Sequence, residues 1–151
     1  METYDAYRNS VTVLADDESG MLRYRLNDGN ELPAIALGTF DLASVDGTAT
    51  RLVSTAIEVG YRHIDCARFY GNEAAVGEGL ASCGIPRAEL FVSSKVWNDA
   101  QRAGKVRDSF MRSLEELGLD YLDMFLLHWP EPGVFRKSWE VLQSLREEGL
   151  G

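Results

Sequence analysis

A basic excess, abundant cysteine and long apolar runs are all missing from this sequence. Lys and Arg number 15 against 24 Asp and Glu, a net charge of −9. A general nucleic-acid or membrane-surface binder needs a basic footprint, so neither partner is expected. Only two cysteines occur, Cys66 and Cys83, and they form no metal-ligand spacing. No metal is expected, and the scarcity of cysteine fits a reducing, cytoplasmic compartment. No apolar run approaches the ~20 residues that span a membrane. The opening stretch "METYDAYRNSVTVLADDESG" has neither a basic start nor an apolar stretch, so no secretory signal is expected. Its acidic residues also speak against a mitochondrial transit peptide. Residues 1–20 read as a polar, loosely ordered N-terminal extension, and residues 21–151 as the domain proper.

What is present is ordinary in bulk and particular in pattern. The 151 residues are 45% hydrophobic, a normal content for one globular domain. Gly60, Gly84, Gly118 and Gly149 each follow a helix-like segment, where a left-handed C-terminal cap is wanted. Their spacing of roughly 25–35 residues is the size of one βα unit. Between them lie short apolar segments: "AIALGTF" (34–40), "YRHIDCA" (61–67), "LFVSSKVW" (90–97) and "YLDMFLLHW" (121–129). Helical periodicity fills the gaps, with stripes at Leu52, Val53, Ala56 and Ile57, at Val106, Phe110, Leu114 and Leu117, and at Phe135, Trp139, Leu142 and Leu145. A short alanine-rich helix is expected over 72–83, with Asn72 as its cap. Asp28-Gly29 in "YRLNDGNELP" signals a hairpin ahead of the first strand. The order is a hairpin followed by four βα repeats, which means a parallel sheet covered by helices.

Side-chain parity then singles out a few residues. Positions two apart on a strand share a face. One face takes Tyr61, His63 and Asp65, then Phe91, Ser93 and Lys95, then Leu122, Met124, Leu126 and His128. Three successive strands thus place an ionisable residue at their C-terminal end. In (β/α)8 barrels that end carries the chemistry. Each residue has a plainer reading. A strand-end aspartate is usually a solvated loop acid, a lone lysine a snorkelling surface residue, and a histidine before Trp129-Pro130 a satisfied structural one. Tyr70 could simply pack with Phe69. Their joint occurrence on adjacent strand ends is what the plainer readings leave unexplained. Gly77-Glu78-Gly79 resembles half a dinucleotide fingerprint, but it lies inside a helical segment, so the context that motif needs is absent.

Asp, Tyr, Lys and His together suit one kind of chemistry. A phenol is a poor acid at neutral pH, and a nearby ammonium favours its ionised form. An aspartate fixes the ammonium, and a histidine can orient a carbonyl oxygen. The result is a proton donor aimed at an oxygen gaining negative charge, as carbonyl reduction requires. The hydride must come from a cofactor, since no side chain supplies one.

At this point the sequence resembles the aldo-keto reductase family. "GYRHIDCARFYGNEAAVG" is similar to the family's first motif, "SSKVWN" to the segment carrying its lysine, and "DYLDMFLLHWP" to the segment carrying its histidine. "LNDGNELPAIALGTF" resembles the hairpin that closes the barrel bottom and leads into the first strand. The resemblance runs from about Arg23 to the end. It implies an α/β fold: an N-terminal hairpin plus four βα units of a TIM (β/α)8 barrel, with the C-terminal half absent from this chain. It implies NADPH-dependent reduction of an aldehyde or ketone to an alcohol. Tyr70 would be the general acid, Lys95 and Asp65 its tuning partners, and His128 the group orienting the substrate. Thr39 and Asp65 would touch the nicotinamide end of the cofactor. Phe40, Trp97 and Trp129 would wall the substrate pocket, with Phe40 where the family usually has tryptophan.

Gly149-Leu150-Gly151 stands where a fifth strand of such a barrel is expected to begin. Three alternatives follow. The chain is the N-terminal part of a reductase, or a half-barrel that completes itself by self-association through open edges, or a binding or decoy module without activity. The 151 residues alone are expected to lack the groups that anchor the cofactor's phosphates. The identity of the carbonyl substrate is not written in this half.

Overall fold

The computed structural model of the chain describes residues 12–14 and 21–151. The chain divides into two compact units, with the boundary at Ala36 and Leu37. The first is a small antiparallel sheet of β1 (Thr12–Leu14), β2 (Arg23–Arg25) and β3 (Glu31–Pro33) in that order. The expected turn joins β2 to β3. Gly29 takes a positive φ of 91° there, and Leu26 donates its N–H to the Asn30 carbonyl at 2.8 Å. Asp28 Oδ1 accepts from the Asn30 N–H, the local bond that makes Asp-Gly a turn former. β1 falls inside the stretch read from sequence as a loose extension. Its residues pair with β2, from Thr12 opposite Arg25 to Leu14 opposite Arg23. The rest of residues 1–20 lies outside the described residues.

The second unit holds a four-stranded sheet ordered β4 (Ala36–Gly38), β5 (His63–Asp65), β6 (Phe91–Val96) and β7 (Met124–Leu127). The pairs β5–β6 and β6–β7 are parallel. Between the strands run α1 (Thr48–Glu58), α2 (Glu73–Ser82), a short α3 (Asn98–Arg102) and α4 (Val106–Leu117), and α5 (Phe135–Glu147) follows β7. This is a partial α/β barrel in the expected order. The strands are shorter than the apolar segments that announced them. In "YRHIDCA", Tyr61 closes the preceding helix instead, donating its N–H to the Ala56 carbonyl at 2.9 Å. Gly60, Gly84, Gly118 and Gly149 all take positive φ, the conformation a left-handed cap needs. No helix among the described residues is long and apolar enough to cross a membrane.

One face of the sheet packs on the helices. Ile64, Val92 and Val96 are fully buried there, against Val53, Ile57, Val76, Phe110 and Leu117. Each such side chain contributes about 1.5–3 kcal/mol on burial. The stripe on α4 is as read. On α1 the buried set is Ala49, Val53, Ala56 and Ile57, and Leu52 faces out. On α5 the buried set is Ser138, Leu142 and Leu145, at helical spacing, while Phe135 and Trp139 are exposed. Two large aromatics mislead because the small Ser138 takes the buried position on this helix.

The glycine pair inside α2 has a packing role. A Cβ on Gly77 would lie 2.5 Å from the Leu117 carbonyl oxygen at the end of α4. A Cβ on Gly79 would lie 2.8 Å from the Thr50 carbonyl oxygen of α1. Both are closer than atoms can approach, so α2 can sit between its neighbours only with hydrogen at these two positions.

Candidate active site

Parallel register sets the rows of the other sheet face. Asp65 lies opposite Ser93, and Ser93 opposite Met124. Lys95, one pleat further along β6, lies opposite Leu126. His128 extends the ladder past β7 by donating its N–H to the Val96 carbonyl at 3.1 Å. The alternation read from sequence therefore brings Asp65, Lys95 and His128 to one rim. Tyr70 arrives from a 3-10 turn, Arg68–Tyr70, that follows β5.

Lys95 is the hub. Its ammonium has three donors and three acceptors: Asp65 Oδ2 at 2.6 Å, the Cys66 carbonyl at 2.8 Å and Tyr70 Oη at 3.4 Å. The bond to the phenol is long, near the outer limit of a hydrogen bond. The other Asp65 oxygen accepts from Ser93 Oγ at 2.7 Å. With that hydroxyl proton spent on Asp65, the 3.0 Å contact between Ser93 Oγ and His63 Nε2 requires the histidine nitrogen to donate. Asp65 and Lys95 are thus fixed from both sides.

His128 stands across from the phenol, its ring perpendicular to that of Tyr70 with centroids 5.8 Å apart. Burial, then the Lys95 charge, hold its pKa below the ordinary histidine range, against an opposing pull from Asp65. The imidazole is therefore neutral at pH 7 and presents one N–H and one lone pair. Its buried Nδ1 has no hydrogen-bond partner among the described residues.

Aromatic side chains surround this opening. Trp97 packs edge-on to His128 at 5.0 Å, and Phe40 packs edge-on to Tyr70 at 5.2 Å. Trp129 lies 6.2 Å from His128 and is largely exposed. Phe69, unassigned in the sequence reading, stacks on Trp97 at 4.1 Å. Its place beside Tyr70 in "RFY" was the available signal. Ser93 was also passed over, although parity put it in the same row as Lys95.

Two expectations change. Thr39 presents no surface to a ligand. It is fully buried, and its hydroxyl and N–H both donate to the Asp65 carbonyl, at 3.1 and 3.0 Å. It backs Asp65 from behind. Asn72 does not cap α2 with its side chain. Its amide donates to the Thr39 and Leu42 carbonyls at 2.8 and 3.1 Å, which ties the β4 exit to the turn carrying Tyr70. Cys66 is buried, and desolvation with the neighbouring Glu73 charge pushes its thiol up to about 12, so it is not a nucleophile.

Comparison with known proteins identifies the family. Residues 34–150 match the model of the aldo/keto reductase family. An aldo-keto reductase of Mycolicibacterium vanbaalenii is 47% identical over 127 residues, covering 83% of this chain and 45% of that protein. The glyoxal reductase of Bacillus subtilis is 42% identical over 125 residues, covering 83% and 45%. Among solved structures, the aldo-keto reductase of Bombyx mori in complex with NADP superposes with a TM-score of 0.76 at 39% identity, covering 85% of this chain and 47% of that one. The chain spans about half the length of the curated relatives it matches. The chain belongs to the aldo/keto reductase family.

Proposed function

We propose that the protein reduces an aldehyde or ketone to an alcohol with NADPH, and that this chain supplies the proton-donating side of the site. The observation that carries the reading is the Lys95 ammonium held between Asp65 and the Tyr70 hydroxyl, with a neutral His128 opposite. The residues present fit the reacting end of the cofactor, because a donor hydroxyl, a cation and a hydrogen-bonding imidazole converge on one aromatic-walled opening. At this corner Lys95, Arg68 and Arg102 are each paired with a carboxylate, so its phosphates would need other groups. NADPH, when bound, supplies the hydride. Asp65, whose side chain is part exposed, would meet the nicotinamide, and Thr39 would support it from behind.

Within the chain the steps are these. His128 donates its N–H to the carbonyl oxygen and fixes its direction. Phe40, Trp97 and Trp129 exclude water from the carbonyl face. Tyr70 gives its hydroxyl proton to the oxygen as negative charge builds there. The phenolate left behind is stabilised by Lys95, which Asp65 and the Cys66 carbonyl keep in place. Such proton donation contributes ~10²–10⁴-fold. The test is aldehyde-dependent NADPH oxidation by the Tyr70→Phe variant. Turnover equal to the parent's would remove Tyr70 from the mechanism.

A second reading, self-association, is favoured by Leu126, which is 39% exposed on the inner sheet face. Two copies pairing along β4 and β7 would cover that face. Light scattering decides: a dimer whose activity tracks its concentration supports it, and an active monomer removes it.

A further inference from the structure

The turn that carries Tyr70 carries Arg68 on its other side. Arg68 Nη1 donates to Glu73 Oε2 at 2.6 Å and to Glu116 Oε2 at 2.7 Å. Glu73 is 1% exposed. Its second oxygen accepts from Ser94 Oγ at 2.6 Å, and Ser113 Oγ adds a bond at 3.2 Å. One guanidinium therefore ties the turn to α2, to β6 through Ser94, and to α4 through Ser113 and Glu116. Burial works against charge on Arg68 and Glu116, and the hydrogen bonds between them more than reverse it, so Arg68 is shifted up and Glu116 down.

Stability alone is a weak reason for such a cluster. Apolar side chains of similar volume hold a core at least as well as a buried ion pair, and a buried pair's best use is to specify one arrangement. The arrangement at stake here is the turn. Its backbone has two bonds of its own, Tyr70 N–H to the Ala67 carbonyl and Gly71 N–H to the Arg68 carbonyl. Phe69 is 52% exposed, so apolar burial holds the turn weakly. Its ends are pinned where Lys95 bonds the Cys66 carbonyl and where Asn72 bonds Thr39 and Leu42. Arg68 pins its middle, two residues from Tyr70.

We propose that Arg68 and Glu73 are positioning residues for Tyr70: their buried ion pair fixes the turn so that the phenol stays beside Lys95 and edge-on to His128. The proposal rests on Tyr70 being the proton donor. A displacement of about 1 Å at a reacting group costs up to ~10²-fold in rate, so a clamp that touches neither substrate nor the reacting atoms can still govern turnover.

The deciding variant is Arg68→Met with Glu73→Gln, which removes both charges, keeps both volumes and leaves an acceptor for Ser94. Nuclear Overhauser contacts between the Tyr70 and His128 rings report the phenol's place. The Phe110–Phe125 ring pair, 4.9 Å apart in the core, is the internal control. Expected are retained core contacts, weakened Tyr70–His128 contacts, and a kcat lowered about 10–100-fold with the carbonyl KM little changed. Tyr70–His128 contacts at full strength, or a kcat at the parent's level in this well-folded variant, would overturn the proposal. Should the core contacts vanish, Arg68→Lys is used instead. It keeps a cation against Glu73 but loses the planar fork, and full ring contacts with full kcat there would likewise overturn the clamp. An unaltered protein that reduces no carbonyl with its barrel complete would sink the functional reading instead, and the ring contacts would still decide the clamp.

Discussion

Ser93 and Ser94 are neighbours in sequence, and each donates to a carboxylate, on opposite faces of the same strand. Ser93 bonds Asp65 on the open face at 2.7 Å, and Ser94 bonds Glu73 on the helix face at 2.6 Å. Each carboxylate also takes a cation at 2.6 Å, Lys95 for Asp65 and Arg68 for Glu73. The parts are nearly identical and the outcomes are not. Around Glu73 the carboxylate is sealed, with contacts of 2.6 Å from Arg68 and Ser94 and a longer one of 3.2 Å from Ser113. Around Asp65 the side chain stays part exposed, and the cation keeps one long contact, to Tyr70. A closed cluster holds shape. An open cluster with one unsaturated contact can do chemistry.

The largest expected effect breaks the open side alone. Tyr70→Phe removes one hydroxyl at a half-buried position and leaves Lys95 with Asp65 and the Cys66 carbonyl. Activity should fall ~10²–10⁴-fold, while the urea midpoint stays within experimental error. A variant that loses activity together with cooperativity of unfolding would show that the phenol supports the fold instead.

The closed side should answer in stability. Glu73→Ala leaves Arg68 half-paired and the hydroxyls of Ser94 and Ser113 without their acceptor. Breaking a buried pair by removing one partner costs about 3–5 kcal/mol, readable by urea denaturation at pH 7. Asp65→Asn, on the open side, should cost distinctly less, because water can reach what it leaves. Equal losses at the two positions would erase the contrast.

Strand parity made the open side legible. A period of two is visible in any sequence, so Asp65, Lys95 and His128 could be set on one rim before any coordinates. The closed side was not legible. Glu73 sits in an alanine-rich helix, where a charge ordinarily faces water, and only the tertiary neighbours Ser94, Ser113 and Arg68 make its burial tolerable. Asn72 stands at the N-cap as read, but the work of its side chain was not legible for the same reason: its amide serves carbonyls 33 and 30 positions away. Phe135 and Trp139 were placed inward because size stands for burial in a periodicity count. The glycines of α2 were rightly refused as a phosphate loop, yet their cause lies on two other helices.

Those glycines give a smaller effect on the closed side. Gly77→Ala puts a methyl group onto backbone atoms of α4 that cannot step aside. Overpacking costs about 1–3 kcal/mol, partly offset by alanine's better helix propensity of about 1 kcal/mol. A fall in melting temperature with unchanged KM is expected. A more stable alanine variant would mean that α2 is free to shift.

The smallest effect is a separation of the two sides by pH. His128, on the open side, is held below its ordinary value of 6.5, first by burial and then by Lys95. The unfolded chain therefore binds a proton at a pH where the folded chain still does not. The His128 contribution to stability is fully present above about 6.5 and is lost as pH falls through the lower folded value. Glu116, on the closed side, is also held below its ordinary value of 4.5: burial pulls the other way, and the bonds from Arg68 and Arg112 prevail. Its contribution is present above about 4.5 and is lost as pH falls further. Stability measured against pH should thus decline in two stages. His128→Asn should flatten the stage that begins near 6.5 and leave the acid stage alone. Arg68→Met with Glu73→Gln should weaken the acid stage and leave the first in place. Two variants that flatten the same stage would mean that the faces of β6 are coupled, and that the open and closed clusters titrate as one.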